Sequence, residues 1–288
     1  VSRMAAELTH LVKEEFDPLL IRALLIHNAK YPANNSMSMT DKVTQMGFGA
    51  PSSVQEMLYN SEDEITLILR DTLEKGSFIE MFDFPFPESL VDKDGNFIGQ
   101  IIVTLVTKSL LDDKQAGEYC QSNIDILFGT YETETDRDTS KKGIKNPKGL
   151  EEPQNILLES LYSARVKGAH PFTGFERECT LVKYGKKFHP VKKYAIDLSE
   201  MTTSNRQRYL RGDRKWYLKI EGLYRDFIEQ DARARNYQLS QEYCLLLTIR
   251  DPNGKAPVYD EVAQQLDYKN FLHHNIQLRN VVTIDGTL

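Results

Sequence analysis

The sequence lacks several features that would each indicate a definite class of protein. It has 3 cysteines in 288 residues, and Cys120, Cys179 and Cys244 lie far apart. So sparse and odd a set excludes a disulfide scaffold and has no metal-ligand spacing, so we predict buried free thiols and no metal or cofactor. No run of about eighteen apolar residues occurs, so we expect no membrane-spanning helix. The first residues also lack the basic-then-apolar pattern of a signal peptide.

Long basic blocks are also missing. The 36 Lys and Arg residues are outnumbered by 42 Asp and Glu, and the formal net charge of -6 is spread along the chain. A nucleic-acid partner is therefore not expected, since phosphate backbones are bound by clustered cations. The 40% of hydrophobic residues is typical of globular proteins, and the length favours two units over one. The absence of a disulfide pattern favours an intracellular, cytoplasmic setting.

The first sixty residues have helical periodicity. Apolar residues recur at steps of three and four up to Val12, which predicts one helix with a buried stripe. Asp17 and Pro18 supply an N-cap and a first-turn proline for a second helix, which we expect to end near Ala29. This second helix is apolar all round, which is typical of a helix inside a larger body. The next few dozen residues do not supply that body, so we expect its cover to be missing from the chain. A third, short helix is predicted to begin at Pro51.

From Glu64 onward the periodicity changes to that of strands. The segments are short, often alternate between apolar and polar residues, and are rich in Ile, Val, Thr, Tyr and Phe. The predicted strands are Glu64–Leu73, Ser77–Pro85, Phe97–Thr107, Asn123–Glu132, Cys179–Tyr184, Tyr194–Leu198, Trp216–Tyr224 and Tyr243–Arg250. Turn sequences at Asp92–Asn96 and Asp251–Gly254 favour tight reversals beside these strands.

The predicted fold class is therefore α+β, with N-terminal helices followed by a mainly antiparallel β-sandwich or jelly-roll-like domain. We place the helical unit at residues 1–61 and the β-rich C-terminal domain at residues 62–288. The charged, polar stretch near 134–153 has little to bury, so we expect a long, mobile surface loop there.

Three segments in the helical unit resemble the subtilisin-like serine proteases, the subtilases. In that family a Gly-Thr-Ser-x-Ala-x-Pro motif carries the nucleophile, and the helix it opens continues much like Val1–Leu8 here. A proline and a helix of the type Ile-(Arg/Lys)-Ala-Leu-Leu-x-x-(Ser/Asn)-Ala follow, and Pro18 and Ile21–Ala29 are similar. The family then has Gly-x-Gly before a last helix, which Gly47–Gly49 resembles. The residues after these glycines, from Ala50, depart from the family pattern, and the resemblance covers about a fifth of the chain.

The resemblance implies that this chain is the C-terminal portion of a subtilase, beginning just after the catalytic serine. Subtilases carry their triad in the order Asp, His, Ser, and the oxyanion asparagine also precedes the serine. No residue of this chain would then be catalytic, and the missing N-terminal region would hold the active site. The resemblance gives Val1, Met4, Ala5 and Leu8 a role as scaffold residues that hold the nucleophile helix beneath the catalytic sheet.

Other constellations in the sequence are weaker. His170 and Asp197 could be combined with one of many serines, but no nucleophile-elbow motif supports a choice. The His273–His274 pair has no further ligand at metal-site spacing, and Asp92–Asn96 lacks the glutamate of a calcium loop because Val103 occupies that position. The basic stretch 205–216 could bind an anionic partner or a peptide, although charges paired with nearby carboxylates are the favoured interpretation.

Two hypotheses from different classes follow. The first is a subtilisin-like endopeptidase whose isolated C-terminal portion is inactive and whose β domain positions protein or peptide substrates, or partners. The second is a non-enzymatic β-sandwich module for binding or assembly, to which the helices are a packed appendage.

Overall fold

The computed structural model describes residues 1–12, 17–31, 41, 45–112, 114, 119–132, 153–162, 190–268 and 276–278. The fold is α+β, as predicted, with helices at the N-terminus and antiparallel sheets after them. We label the helices α1 (Ser2–Leu11), α2 (Pro18–His27), α3 (Val54–Leu58), α4 (Thr203–Tyr209), α5 (Asp226–Arg235) and α6 (Val258–Tyr268). The strands are β1 (Ala29–Lys30), β2 (Ala50–Pro51), β3 (Glu64–Glu74), β4 (Phe78–Phe84), β5 (Gln100–Thr107), β6 (Ser122–Tyr131), β7 (Gln154–Asn155), β8 (Val191–Asp197), β9 (Lys215–Tyr224), β10 (Ser240–Arg250) and β11 (Ile276–Leu278).

Strands β3 to β10 are paired as a jelly roll. The five-stranded sheet has the order β11-β3-β10-β5-β8 and the four-stranded sheet has the order β4-β9-β6-β7. If the chain from β3 to β10 is imagined as one long hairpin, β3 pairs with β10, β4 with β9, β5 with β8 and β6 with β7, and every one of these pairs is antiparallel. Rolling up such a hairpin produces two facing sheets, which is the jelly-roll form of the β-sandwich.

Strand β10 has two buried faces, which explains its nearly continuous apolar sequence. Leu245 and Leu247 lie in the hydrophobic core between the two sheets, together with residues of β4, β6 and β9. Leu246, which points to the opposite face, lies in a second core shared with the N-terminal helices. Cys244 belongs to this second core, and its burial raises the pKa of the thiol.

Helix α2 packs on the outer face of the five-stranded sheet. Its buried side chains share a core with Ile68 of β3, Val106 of β5 and Leu246 of β10. The expectation that the cover of α2 is missing from the chain was therefore wrong. Strands far along the sequence supply that cover, which the residues just after the helix do not reveal.

The start of α2 agrees with the sequence prediction. Asp17 is the N-cap, since its carboxylate accepts hydrogen bonds from two backbone N–H groups of the first turn, and Pro18 is the first helical residue. Helix α3, by contrast, does not begin at Pro51 as predicted. Its N-cap is Ser53, because Pro51 pairs with Ala29 in the short β1–β2 ladder.

Most predicted strands are confirmed within one to three residues of their bounds, as the ranges of β3, β4, β5, β6, β8, β9 and β10 show. Helices α4, α5 and α6 were not predicted. The predicted strand Cys179–Tyr184 lies outside the described residues, and so does the predicted loop near 134–153, apart from Pro153. The long strands of the two sheets begin with β3 at Glu64.

Candidate functional site

One end of the sandwich carries a groove of about 850 Å³, which we call the Trp216 groove. Its residues come from the end of β4, the loop and hairpin after it, the segment that leads into β9, and α6. They are Asp83, Phe84, Phe86, Glu88, Val91, Asp94, Gly95, Phe97, Arg211, Gly212, Asp213, Arg214, Lys215, Trp216 and Gln265.

Stacked aromatic side chains form the floor of the groove. The rings of Trp216 and Phe86 are stacked at 4.1 Å with an angle of 9° between their planes. Phe128 lies near the same indole at 5.0 Å, and Phe97 approaches it edge-on at 5.3 Å. Such contacts contribute about 0.5–1.5 kcal/mol each beyond the burial of area. The floor is therefore a fixed part of the sandwich core rather than a flexible surface.

The wall formed by residues 85–90 is held by helix α6. The side-chain amide of Gln265 accepts a hydrogen bond from the backbone N–H of Phe86 and donates one to its carbonyl. One turn earlier, Glu261 accepts a hydrogen bond from the backbone N–H of Ser89. These bonds replace ladder partners for a segment that has left β4, so the wall is ordered although it is not a strand.

The opposite wall is a tight hairpin at residues 92–96, which confirms the turn predicted from the sequence. Val91 and Phe97 form the bridge that closes it, and Gly95 adopts a positive φ of 75°. The Asp92 carboxylate accepts hydrogen bonds from backbone N–H groups within the turn and pairs with Arg206 of α4. This carboxylate is therefore a structural element of the turn.

Most charges at the rim of the groove are paired within the protein. Arg211 forms two hydrogen bonds with Asp213, at 2.9 and 2.8 Å, and these lower the pKa of that carboxyl group. Lys215 lies 3.5 Å from Asp83. The buried Arg214 donates to Glu132 and to the Thr130 hydroxyl and carbonyl. The basic stretch 205–216 thus meets nearby carboxylates, which agrees with the favoured interpretation from the sequence.

Two carboxylates at the rim differ from the others. The side chains of Glu88 and Asp94 are exposed. Neither carboxylate has an ion pair or a side-chain hydrogen bond with the residues that the structure describes. Among the described residues that line the groove, four carboxylates therefore stand against three cations.

A second cavity, of about 440 Å³, lies where α2 meets the five-stranded sheet. His27, at the last position of α2, is 4% exposed and contributes to its lining. Its Nδ1 lies 2.9 Å from the Thr104 hydroxyl, and its Nε2 lies 2.7 Å from the Thr248 hydroxyl. Thr248 also contacts the Thr66 hydroxyl at 2.6 Å. These four side chains, which we call the His27 cluster, bind the helical layer to β3, β5 and β10.

The other candidates from the sequence do not assemble into a site in the described part of the chain. Asp197 accepts hydrogen bonds from the backbone N–H and hydroxyl of Ser199 and caps a short 3-10 turn. His170, His273 and His274 lie outside the described residues. No cluster of three or more His, Cys, Asp and Glu side chains suited to a metal ion occurs among the residues with described positions.

The described lining of the Trp216 groove combines aromatic and charged side chains. None of the residues that line it is a Ser, Thr, Cys or His, so they provide neither a hydroxyl or thiol nucleophile nor an imidazole base. Sequence reasoning named Trp216 and the basic stretch before it but missed Phe86, Glu88 and Gln265. The hydrogen bonds between Phe86 and Gln265 join residues that are 179 positions apart. A contact over such a distance leaves no local pattern in the sequence.

Searches for relatives gave no assignment. No protein-family model matches the chain, and no curated protein matches it. Among the helices with described coordinates, none has the length and apolar character needed to cross a bilayer.

Proposed function

We propose that this chain is the C-terminal portion of a subtilisin-like serine endopeptidase. In the intact protein a preceding catalytic region would hydrolyse peptide bonds by serine acylation, and the jelly roll would position the substrate or a partner beside it. The chain itself would contribute no catalytic residue. The proposal begins with the resemblance of residues 1–49 to the helices that follow the nucleophile in subtilases.

The observation that carries the proposal is the conformation of the motif-bearing segments. The Gly-x-Gly segment has a positive φ at both Gly47 (58°) and Gly49 (92°). A side chain at Gly49 would place its Cβ 2.4 Å from the Lys30 carbonyl oxygen, so only glycine fits there. The glycine that the family pattern contains at this position is thus required by the backbone, which supports the match beyond letter similarity.

The helical layer also suits a scaffold role. On α1, Leu8 is completely buried, while Met4 and Ala5 pack at the edge of the same core. Val1 is 76% exposed. This gradient of burial fits a helix whose far end is anchored in this chain and whose first turn is available to pack elsewhere.

The His27 cluster connects the β domain to those helices. Because α2 is bonded to β5 and β10 through Thr104 and Thr248, the jelly roll has a fixed orientation relative to the helices. A groove on a rigidly oriented domain can hold a substrate at a constant distance from a neighbouring active site. This is the proposed role of the Trp216 groove.

A non-enzymatic binding or assembly module is the second candidate. One observation favours it: α2 is covered by the sheet of this chain itself. Under this hypothesis the helices complete the fold and do not serve an active site.

A serine-directed fluorophosphonate probe distinguishes the two candidates. The 288-residue chain and the full product of its gene would be labelled side by side and assayed for casein hydrolysis. The protease proposal predicts labelling of a longer product only, with loss of labelling when the serine of its Gly-Thr-Ser-x-Ala-x-Pro motif is replaced by alanine. Labelling of the 288-residue chain would contradict the assignment of no nucleophile, and a full product without that motif would favour the binding module.

A further inference from the structure

We propose that the Trp216 groove docks an extended peptide segment that carries a lysine or arginine beside a large apolar residue. This inference deepens the proposed positioning role of the β domain and rests on it. The docking itself requires no catalysis, so it can be measured on this chain alone.

The charges at the rim of the groove favour a cationic side chain in the ligand. Asp83 and Asp213 are each matched by a cation on the groove, Lys215 and Arg211. Glu88 and Asp94 face the same groove as exposed carboxylates that no cation of the described chain neutralises. A ligand cation can pair with them without displacing an existing partner, whereas an anionic ligand would have to compete for guanidinium groups already engaged.

The aromatic floor of the groove favours an apolar residue beside the cation of the ligand. Trp216 is stacked against Phe86 and against Phe128 and is 2% exposed, so its ring does not receive a cation over its face. Phe86 and Phe97 are themselves 5% and 6% exposed, so the apolar surface that a ligand can reach comprises small exposed parts of these rings and the half-buried Val91. This surface suits an aliphatic or aromatic side chain rather than a stacked charge.

Size and rigidity agree with a short peptide. A volume of about 850 Å³ lies within the range of about 300–1,000 Å³ of ligand pockets. The walls are preformed, since Gln265 fixes Phe86 and the Asp92 carboxylate fixes the hairpin. Little loop ordering is therefore needed on binding, which favours measurable affinity for a small ligand.

The fluorescence of Trp216 can be used to follow binding in this groove. Trp216 is the single tryptophan in the sequence and part of the groove lining. Its fluorescence can be followed while the 288-residue chain is titrated with acetyl-Gly-Lys-Leu-Lys-Gly-amide, which contains no fluorophore. The matched probe acetyl-Gly-Glu-Leu-Glu-Gly-amide has the same apolar residue and the opposite charge.

We expect a saturable change in Trp216 emission with the lysine peptide and binding of the glutamate peptide that is weaker by about fivefold or more. Replacing both rim carboxylates, Glu88→Gln with Asp94→Asn, should weaken binding of the lysine peptide by about threefold to tenfold, as expected for two exposed ion pairs. A control with the same change of charge at exposed sites outside the groove, Glu62→Gln with Glu74→Gln, should stay within about twofold of the parent.

Three results would overturn the proposal: no saturable binding of the lysine peptide by emission or by titration calorimetry, equal or tighter binding of the glutamate peptide, or equal losses in the two double variants. Tighter binding of the glutamate peptide would assign the groove to an anionic partner. Near-ultraviolet circular dichroism of each variant verifies that the fold is retained. Since no proteolysis is measured, failure here leaves the protease proposal standing, and failure of fluorophosphonate labelling leaves the groove assignment standing.

Discussion

Replacing His27 by alanine should destabilise the protein more than any change at an exposed histidine. The change removes the hydrogen bonds of the imidazole with Thr104 and Thr248 and leaves the Thr104 hydroxyl, which is completely buried, without its partner in the described structure. An orphaned buried hydroxyl costs about 1–3 kcal/mol. Loss of a buried ring costs about 2–4 kcal/mol more, by analogy with other large-to-small core changes.

The adjoining cavity reduces this cost. His27 borders a space of about 440 Å³, from which water can reach a vacated hydroxyl. We therefore expect the lower part of the range, about 3 kcal/mol, which is a large share of the about 5–15 kcal/mol that stabilises typical domains. Urea unfolding monitored by Trp216 fluorescence and far-ultraviolet circular dichroism measures it. The control is His10→Ala, an exposed position on α1 that should change stability by no more than about 0.5 kcal/mol.

A double-mutant cycle tests the reasoning behind the magnitude. In Thr104→Val the hydroxyl is already gone, so adding His27→Ala no longer orphans it. The double variant should lose about 1–2 kcal/mol less than the sum of the single variants. Strict additivity, or a loss below about 1 kcal/mol for His27→Ala, would refute the view that these bonds fasten the helical layer to the sheet.

Three further outcomes are expected. Asp17→Ala should lower the free energy of unfolding by about 1–2 kcal/mol, because it removes the cap of α2, and chemical denaturation measures it. Gly129→Ala should cost about 3 kcal/mol, since its Cβ would lie 1.7 Å from the Gln154 carbonyl oxygen; Gly222→Ala, where the nearest atom is a side-chain carbon at 3.3 Å, should cost much less in the same assay. Burial, with Glu74 nearby, raises the pKa of Tyr224 to about 12. The stability that this phenol contributes is present below pH 10 and is lost as the pH rises from about 10 to 12. Absorbance titration of the native protein against Tyr224→Phe should show this phenol ionising near pH 12, and in urea near pH 10.

The strands could be predicted because their burial is regular. In β10 and β5 the apolar runs follow from two buried faces, and the residues at their ends, such as the Asp251–Gly254 turn, carry their own local signal. The start of α2 was predictable for the same reason, since a cap and a proline act within one turn.

The three helices that were not predicted differ in whether their sequence contains an apolar stripe. Helix α4 has no buried residue, and the polar sequence of α5 buries only Ala232, so neither presents an apolar stripe. Helix α6 does present one, at Val258, Val262 and Leu266, and this four-residue spacing would have revealed it.

Neither the cover of α2 nor the Trp216 groove could be inferred from local pattern. Both depend on which strands become neighbours. The helix lies against strands that begin some forty to more than two hundred positions after it, and the groove joins β4, the segment before β9 and α6. Charge pairing had the same difficulty: the basic stretch was visible, whereas Glu132 as the partner of Arg214 was not.

The rolled-hairpin topology has a consequence for synthesis on the ribosome. Strand β3 is made before all other strands of the roll, but β10, which pairs with it, is made last among the strands β3 to β10. Until β10 is made, β3 lacks this strand partner, and nascent chains with exposed apolar strands are prone to aggregate. Chaperone capture of the nascent chain is therefore expected to be most important before Arg250 leaves the exit tunnel.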